Sequence, residues 1–516
     1  MTRDTHVPPG ELALLASVFV VAACGLVYEL CAGALASYLL GDSVLQFSTV
    51  IGVYLFAMGL GSWVSRFVEG DLAGAFVRVE ALVGLVGGLM PAALFIAHAT
   101  LPAGATDAFH GLLYALVALV GLGVGLEIPL VVRLLDERFR GRAAVGTLVS
   151  QVLTFDYLGA LVVSIAFPLL LVPHLGLVRS GVFFGLMNAT VALWTALLYR
   201  RALPRPGRAL AESMAVLLAL AGAMASGDAL TTWAEDRFYG PGIVQQVSTP
   251  YQRIVVTAHE GNVRLFLNGN LQFASRDEYR YHEALVHPAM AAAASPRRVL
   301  VLGGGDGLAI REVLKYPSVA QVVQVELDPA MTRLFTATPM LAGLNQHSLS
   351  SPKVHVVNED AFRWLETHDD TFDVIVVDFP DPSNYALGKL YSTSFYELVD
   401  THLAASGYAV IQTTSPLVAR RSFWTVVATL EAVGLRTTPY HAHVPSFGEW
   451  GFVLAGHRPW VMPRALPAGL RFLTLPGLPP LLDFPPDMSR VPAEPNRLSN
   501  QTLVRTFEEE WGRVHE

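Results

Sequence analysis

Residues 298–329, RVLVLGGGDGLAIREVLKYPSVAQVVQVELDP, decide the fold of the second half of this chain. The apolar run RVLVLGG at 298–304 ends in glycines, a helix-compatible stretch follows, and VAQVVQVEL at 319–327 is the next apolar run. Short Val- and Leu-rich runs bounded by glycine are buried strands, and strands that alternate with helices make a parallel sheet. Further strands are expected downstream at VHVV (354–357), DVIVVD (373–378) and GYAVIQT (407–413). Residues 291–460 therefore form a doubly wound α/β domain, Rossmann-like and of the methyltransferase type.

Upstream, YQRIVVTAHEGNVRLFLNGNLQFAS at 251–275 alternates polar and apolar residues. Glu260-Gly261-Asn262 and Asn268-Gly269-Asn270 mark turns, so 229–290 is a small β-strand region that ends in a helix over 277–294. Residues 461–516 are a Pro-rich extension with a helix near 499–514.

The first half has a different texture. Of the 516 residues, 53% are hydrophobic and 15% charged, and the apolar excess lies in the first half. Apolar segments at 11–40, 44–66, 79–99, 109–135, 147–172, 178–199 and 209–226 are each near or above the roughly 20 residues that cross a bilayer. Residues 1–228 read as a multi-pass helical bundle of about seven spans, with the lipid bilayer as its partner and the cell membrane as its location. Gly59, Gly61, Gly121, Gly123 and Gly125 mark close helix packing. Glu29, Glu127 and Asp156 are ionisable groups within or near spans. Cys24 and Cys31, seven residues apart on one helix, stand roughly 10 Å apart along its axis and form no disulfide.

Arg66 and Arg78 flank one loop, Arg133, Arg138, Arg140 and Arg142 crowd another, and Arg200, Arg201, Arg205 and Arg208 a third. The loops around Asp42 and Pro102 lack basic residues. The positive-inside rule places the arginine-rich loops in the cytoplasm. A fully spanning 209–226 segment would then put the second half outside, whereas a nucleoside donor is normally available inside. A cytoplasmic second half is favoured, through a last segment that does not cross or a span count off by one. The net charge of −8 argues against nucleic acid and suits a small cationic substrate.

Acidic residues fall at successive strand ends. GGGDG at 303–307 lets backbone approach a ligand closely, through Gly303 and Gly305 in particular. Glu326 ends the next strand, where a carboxylate suits a ribose diol. Glu359 and Asp360, in NEDAF, follow the third strand, and an acid there can receive an adenine amino group. Asp378 and Asp381, in DFPDP, follow the fourth, where a pair of acids draws a cation.

These motifs, with YQRIVV at 251–256, LQFASRDEYRYHEALVH at 271–287 and the later LYSTSFYELV, resemble the spermidine synthase (polyamine aminopropyltransferase) family over roughly 250–455. The helical first half is similar to the membrane-fused branch of that family. The resemblance implies decarboxylated S-adenosylmethionine as aminopropyl donor, an amine such as putrescine as acceptor, and no metal. It further implies that Gln252, Gly303, Gly305, Glu326, Glu359 and Asp360 bind the donor. By the same resemblance His282, Asp306, Asp381, Tyr281 and Gln272 bind substrate, and Asp378 is the catalytic base. Soluble members form oligomers, so a homodimer is expected.

The chemistry is coherent by itself. An alkylammonium with a pKa near 10 must lose a proton before it attacks, and a carboxylate against it accepts that proton. A carboxylate at Asp306 attracts the free ammonium of the decarboxylated donor and repels the carboxylate of intact S-adenosylmethionine. Ser383-Asn384-Tyr385 and Val444-Pro445-Ser446-Phe447-Gly448 depart from the family pattern on the acceptor side. These departures leave open an S-adenosylmethionine-dependent transferase for another acceptor, lipid-linked or not, and Glu29, Glu127 and Asp156 leave open a polyamine-sensing or transport protein with a binding-only domain.

Overall fold

The structure is a computed structural model that describes residues 9–40, 43–102, 105–138 and 145–512. Asp42, Arg140 and Arg142 lie outside the described residues. The chain divides into two compact units, Met1–Gly240 and Pro241–Glu516.

The first unit contains α1 (Pro9–Leu40), α2 (Ser43–Val64), α3 (Leu72–Thr100), α4 (Thr106–Arg138), α5 (Val145–Ala166), α6 (Val172–Leu198) and α7 (Pro206–Tyr239). Six helical stretches among the described residues are long and apolar enough to cross a membrane, by length and composition. One of them, Gly146–Leu198, has 53 residues. A continuous helix of that length would be about 80 Å long, far beyond a hydrocarbon core of roughly 30 Å. It is instead a hairpin: a wide turn at Phe167–Leu171 separates α5 from α6, and a left-handed Gly176 (φ 71°) kinks α6 near its start. The Cys24 thiol donates to the Phe184 carbonyl (3.3 Å) and the Cys31 thiol to that of Leu177 (3.7 Å), so α6 runs antiparallel to α1.

Tight glycine contacts set the helix spacing. A β-carbon at Gly84 would stand 2.9 Å from the Gly185 carbonyl oxygen, and one at Gly185 3.0 Å from the Gly88 Cα. These small residues spaced by four let the α3 and α6 backbones touch. Gly61, Gly121 and Gly125 do the same between α2 and α4, and Gly123 faces the Val83 side chain; Gly59 faces open space. The outer surface is apolar too: Phe56 is 76% exposed, Leu218 66% and Leu169 65%. A helix that is hydrophobic on every side belongs in a large apolar interior or in lipid.

The last helix is longer than its apolar core. Beyond the apolar stretch at 209–226, α7 continues to Tyr239 and packs along α3. Near its start Ala209 shares a cluster with Leu72 and Phe76. At its end Phe238 lies 5.4 Å from the His98 ring, and the Tyr38 and Tyr239 hydroxyls are hydrogen-bonded. Arg133 marks the opposite end, where it donates to the Ser65 (3.0 Å) and Val68 (2.8 Å) carbonyls.

The second unit opens with a four-stranded antiparallel meander, β1 (Ile243–Ser248), β2 (Arg253–His259), β3 (Asn262–Leu267) and β4 (Asn270–Ala274). Then come α8 (Glu278–Ala292) and β5 (Arg298–Gly303), α9 (Leu308–Val313) and β6 (Gln321–Val325), α10 (Pro329–Ala337), α11 (Pro339–Leu344) and β7 (Val354–Val357). After α12 (Ala361–Thr367) follow β8 (Phe372–Asp378), α13 (Tyr385–Gly388), α14 (Thr393–His402), β9 (Leu403–Thr413) and α15 (Arg420–Ala432). Last come β10 (Arg436–Val444), β11 (Gly448–Gly456), α16 (Leu478–Leu481) and α17 (Thr502–Gly512).

The large sheet has the order β10-β11-β9-β8-β5-β6-β7, parallel from β9 to β7, with buried clusters on both faces. The hairpin β10–β11, antiparallel to β9, was not anticipated from the sequence. Strand order reverses between β5 and β8, and that reversal opens a crevice at their carboxyl ends.

The Pro-rich extension folds back on this unit. The Glu283 carboxylate on α8 accepts from the backbone N–H groups of Arg471 (2.7 Å), Phe472 (2.9 Å) and Leu473 (2.8 Å). Helix α15 has no cap of its own; Glu510 of α17 accepts from the N–H of Arg421 (2.8 Å) and of Ser422 (3.0 Å) instead.

Candidate active site

The parallel register sets Gly303 beside Asp378. The left-handed backbone of Gly303 (φ 80°) and Gly304 (φ 60°) turns the chain over the strand end. A β-carbon at Gly303 would stand 2.3 Å from the Asp378 carbonyl oxygen, and one at Gly304 3.1 Å from Asp378 Oδ2. Glu326 follows β6, and a β-carbon at Gly305 would stand 2.8 Å from its Oε2. The glycine turn therefore lies directly against both carboxylates.

Helix α8 supplies the other wall. Tyr281 donates from its hydroxyl to Asp378 Oδ1 (2.7 Å). The next residue, His282, is 2% exposed, and its Nδ1 pairs with Glu278 Oε2 (2.8 Å). Arg311 of α9 grips Glu278 with two 2.9 Å hydrogen bonds and donates to Glu312 Oε1 (2.9 Å). Burial opposes ionisation of Glu278, but His282 and Arg311 outweigh it and hold the carboxyl at about 2. Burial also opposes the imidazolium of His282, and Glu278 outweighs it, raising that pKa. The imidazolium form of His282 is thereby favoured beside Asp306 and Asp378.

The strand-end acids behave in the opposite way. Burial pushes Asp378 up to about 6; His282 and the Tyr281 hydrogen bond pull it down, and Asp306 pushes it further up. Burial raises Asp306 despite His282 and the backbone N–H of Leu308 (2.9 Å). Burial takes Glu326 up to about 7, and Asp381 likewise to about 7 against hydrogen bonds from Gln412 and Thr414. Such acids give up their protons readily once a cation arrives.

Tyr281, His282, Asp306, Glu326, Asp378 and Asp381 thus share one electrostatic neighbourhood with the turn that carries Gly303 and Gly305. Gln252 joins it at one remove: its Nε2 donates to Asp328 Oδ2 (3.0 Å), and the Asp328 N–H donates to Glu326 Oε1 (2.9 Å). Gln272 lies on β4, partly exposed, and donates to the Asn270 carbonyl (3.2 Å). Asp360 caps α12 through the N–H of Phe362 (2.9 Å), and its other oxygen takes Lys389 Nζ at 2.6 Å. Burial works against it, but Lys389 holds its carboxyl below the usual carboxylate range. Glu359 forms a loose pair with Arg363 (3.7 Å).

Sequence reading missed two groups here. Gln412, at the end of β9, donates to the Phe379 carbonyl and to the Tyr391 hydroxyl (2.8 Å), and accepts from Trp450 Nε1 (3.1 Å). A lone amide closing the apolar run GYAVIQT was the available signal. The Glu278–Arg311 pair spans 33 positions and left no local signal.

A family model described as spermine/spermidine synthase domain matches residues 278–460. The chain is 55% identical over 510 residues to polyamine aminopropyltransferase 2 of Ralstonia nicotianae, covering 97% of this chain and 98% of that protein. The chain belongs to the polyamine aminopropyltransferase family. A second aminopropyltransferase, from Leptospira interrogans, is 48% identical over 504 residues, 98% of this chain and 99% of that one. These alignments run through both units, so these family members share the helical unit as well as the catalytic one. The crystal structure of spermidine synthase from Thermotoga maritima superposes with a TM-score of 0.42 at 21% identity, covering 47% of this chain and 85% of that one. By the alignments to the two named aminopropyltransferases, the protein is a transferase of this family.

Proposed function

We propose that the protein is a membrane-bound aminopropyltransferase that moves the aminopropyl group of decarboxylated S-adenosylmethionine to an amine such as putrescine, giving spermidine and methylthioadenosine. The observation that carries this reading is the buried Asp378, oriented by Tyr281 and flanked by Asp306 and the His282–Glu278 pair. The amine nitrogen attacks the propyl carbon bonded to sulfur. That C–S bond breaks, its electron pair stays on the now neutral sulfur, and Asp378 takes the proton released by the amine. The fixed acids stabilise the positive charge that builds on nitrogen.

Glu326, beside Gly305, is suited to the ribose diol and Asp306 to the donor's free ammonium. Asp360 serves adenine once Lys389 yields one carboxylate oxygen. Asp381, Tyr281 and Gln272 belong to the acceptor side. Membrane attachment is supported by the apolar outer faces of the helical unit. The two other readings are not favoured, since each acid that transfer requires is present.

Mass spectrometry of the detergent-purified protein with decarboxylated S-adenosylmethionine and a panel of amines tests the proposal. Methylthioadenosine and an aminopropylated amine are expected, with Asp378→Asn lowering turnover roughly 10²- to 10⁴-fold. Absence of methylthioadenosine with every amine, with intact S-adenosylmethionine still bound, would overturn it.

A further inference from the structure

The interior of the helical unit holds buried polar and ionisable groups that the transfer reaction does not use. Glu80 on α3 is 0% exposed and Glu127 on α4 is 2% exposed. Both carboxylate oxygens of Glu80 and Oε1 of Glu127 lack a hydrogen-bond partner among the described residues. So do the Tyr28 hydroxyl on α1 and both polar side-chain atoms of Asn188 on α6, and these two residues are also fully buried.

The four groups converge for reasons of helix geometry. Positions 80, 84 and 87 follow one another up one face of α3. A β-carbon at Gly87 would stand 2.6 Å from the Tyr28 ring, and one at Gly84 3.0 Å from Asn188 Cβ. Glu127 follows Gly123 by one turn of α4, and a β-carbon at Gly123 would stand 2.3 Å from Val83 and 4.0 Å from Val79, which flank Glu80 on α3; Glu80 and Glu127 interact electrostatically with each other and with the Tyr28 hydroxyl. Asp156 on α5, half-buried, also acts on Glu127.

An unpaired carboxylate in a dry interior costs several kcal/mol. Among the described residues no Lys, Arg or His pairs with Glu80 or Glu127, and no group of three or more His, Cys, Asp or Glu is placed to hold a metal ion. What the four side chains offer is carboxyl, amide and phenol oxygen, and an arriving cation would offset the cost of ionising the two carboxyls there. An alkylammonium has three N–H donors on one positive nitrogen and matches that set.

We propose that Glu80, Glu127, Asn188 and Tyr28 form a second amine site, inside the helical unit, that takes one ammonium end of an aliphatic diamine or polyamine. The choice of amine rests on the aminopropyl-transfer reading of the catalytic unit; the cationic character of the ligand rests on the bundle alone.

The test is equilibrium binding of radiolabelled putrescine to the full chain in lipid nanodiscs, in potassium and in sodium buffer, with aminopropyl transfer assayed on the same preparations. Two classes of site are expected. Glu80→Gln with Glu127→Gln should abolish one class and leave transfer at saturating amine intact, and retained transfer shows that the variant folds. Tyr28→Phe, a milder change, should weaken that class about tenfold. Asp306→Asn with Asp378→Asn should abolish only the other class. A single class that the glutamine variants leave unchanged would overturn the proposal. So would a second class competed away by sodium alone, which would make it an alkali-ion site. If no amine is turned over but the glutamate-dependent class persists, transfer fails and the bundle site stands; turnover with one class of site means the reverse.

Discussion

The phenolic hydroxyl of Tyr281 donates a 2.7 Å hydrogen bond to Oδ1 of Asp378, joining the first turn of α8 to the carboxyl end of β8. This contact stabilises the ionised form of an acid that burial has pushed up to about 6. A general base works ionised, so kcat/KM should fall as pH falls through about 6. Tyr281→Phe removes the stabilisation, so this acid limb should move to higher pH and kcat at pH 7 should drop roughly tenfold. A pH–rate profile of both proteins measures this; a limb that stays in place would mean that another group titrates.

Gly305 faces Glu326 so closely that a β-carbon would stand 2.8 Å from the carboxylate. Gly305→Ala should push Glu326 aside and raise the KM for the nucleoside donor about tenfold or more, with a smaller change in kcat. Initial rates at varied donor and saturating amine separate the two parameters.

Glu510 caps a helix that lacks its own cap, from 88 or more positions away. Glu510→Ala leaves those two N–H groups unsatisfied and should destabilise the catalytic unit by about 1–2 kcal/mol. Its thermal unfolding midpoint should fall by a few degrees, and the activity of the folded protein at low temperature should be kept.

The course of α7 makes a sided prediction. The helix ends beside Tyr38 and His98, away from the arginine-bearing end marked by Arg133. If these helices span, the positive-inside rule predicts Gly240 on the non-cytoplasmic side, whereas donor supply favours the cytoplasmic one. Cys24 and Cys31 are buried, so a cysteine placed at the exposed Asp369 reports alone. A membrane-impermeant maleimide should label it in intact cells; labelling only in inverted vesicles would return the catalytic unit to the cytoplasm.

Parallel strands were legible because burial on both faces demands uninterrupted apolar runs, as in β5 and β8. The β10–β11 hairpin was not. RTTPYHAHV is polar and carries Pro439, which a sheet tolerates at an edge, and β10 is the edge strand. The acids at strand ends were legible as a pattern, since topology alone brings them together. What holds Asp360 was not: Lys389 reaches it from 29 positions away, and only tertiary folding makes them neighbours. Glu80 escaped notice because RVEALVG reads as the polar margin of an apolar segment, whereas packing against α4 and α6 buries it completely.

The side-chain amide of Asn496 donates to the Gly388 (3.0 Å) and Tyr391 (3.1 Å) carbonyls, and its oxygen accepts from the Leu503 N–H (3.2 Å). The segment that follows Asp378 and Asp381 is thereby stitched to a tail residue more than a hundred positions later in the chain. Anyone grafting that segment between relatives to exchange amine preference would have to move the tail with it, because the two are one inheritable module written in two places.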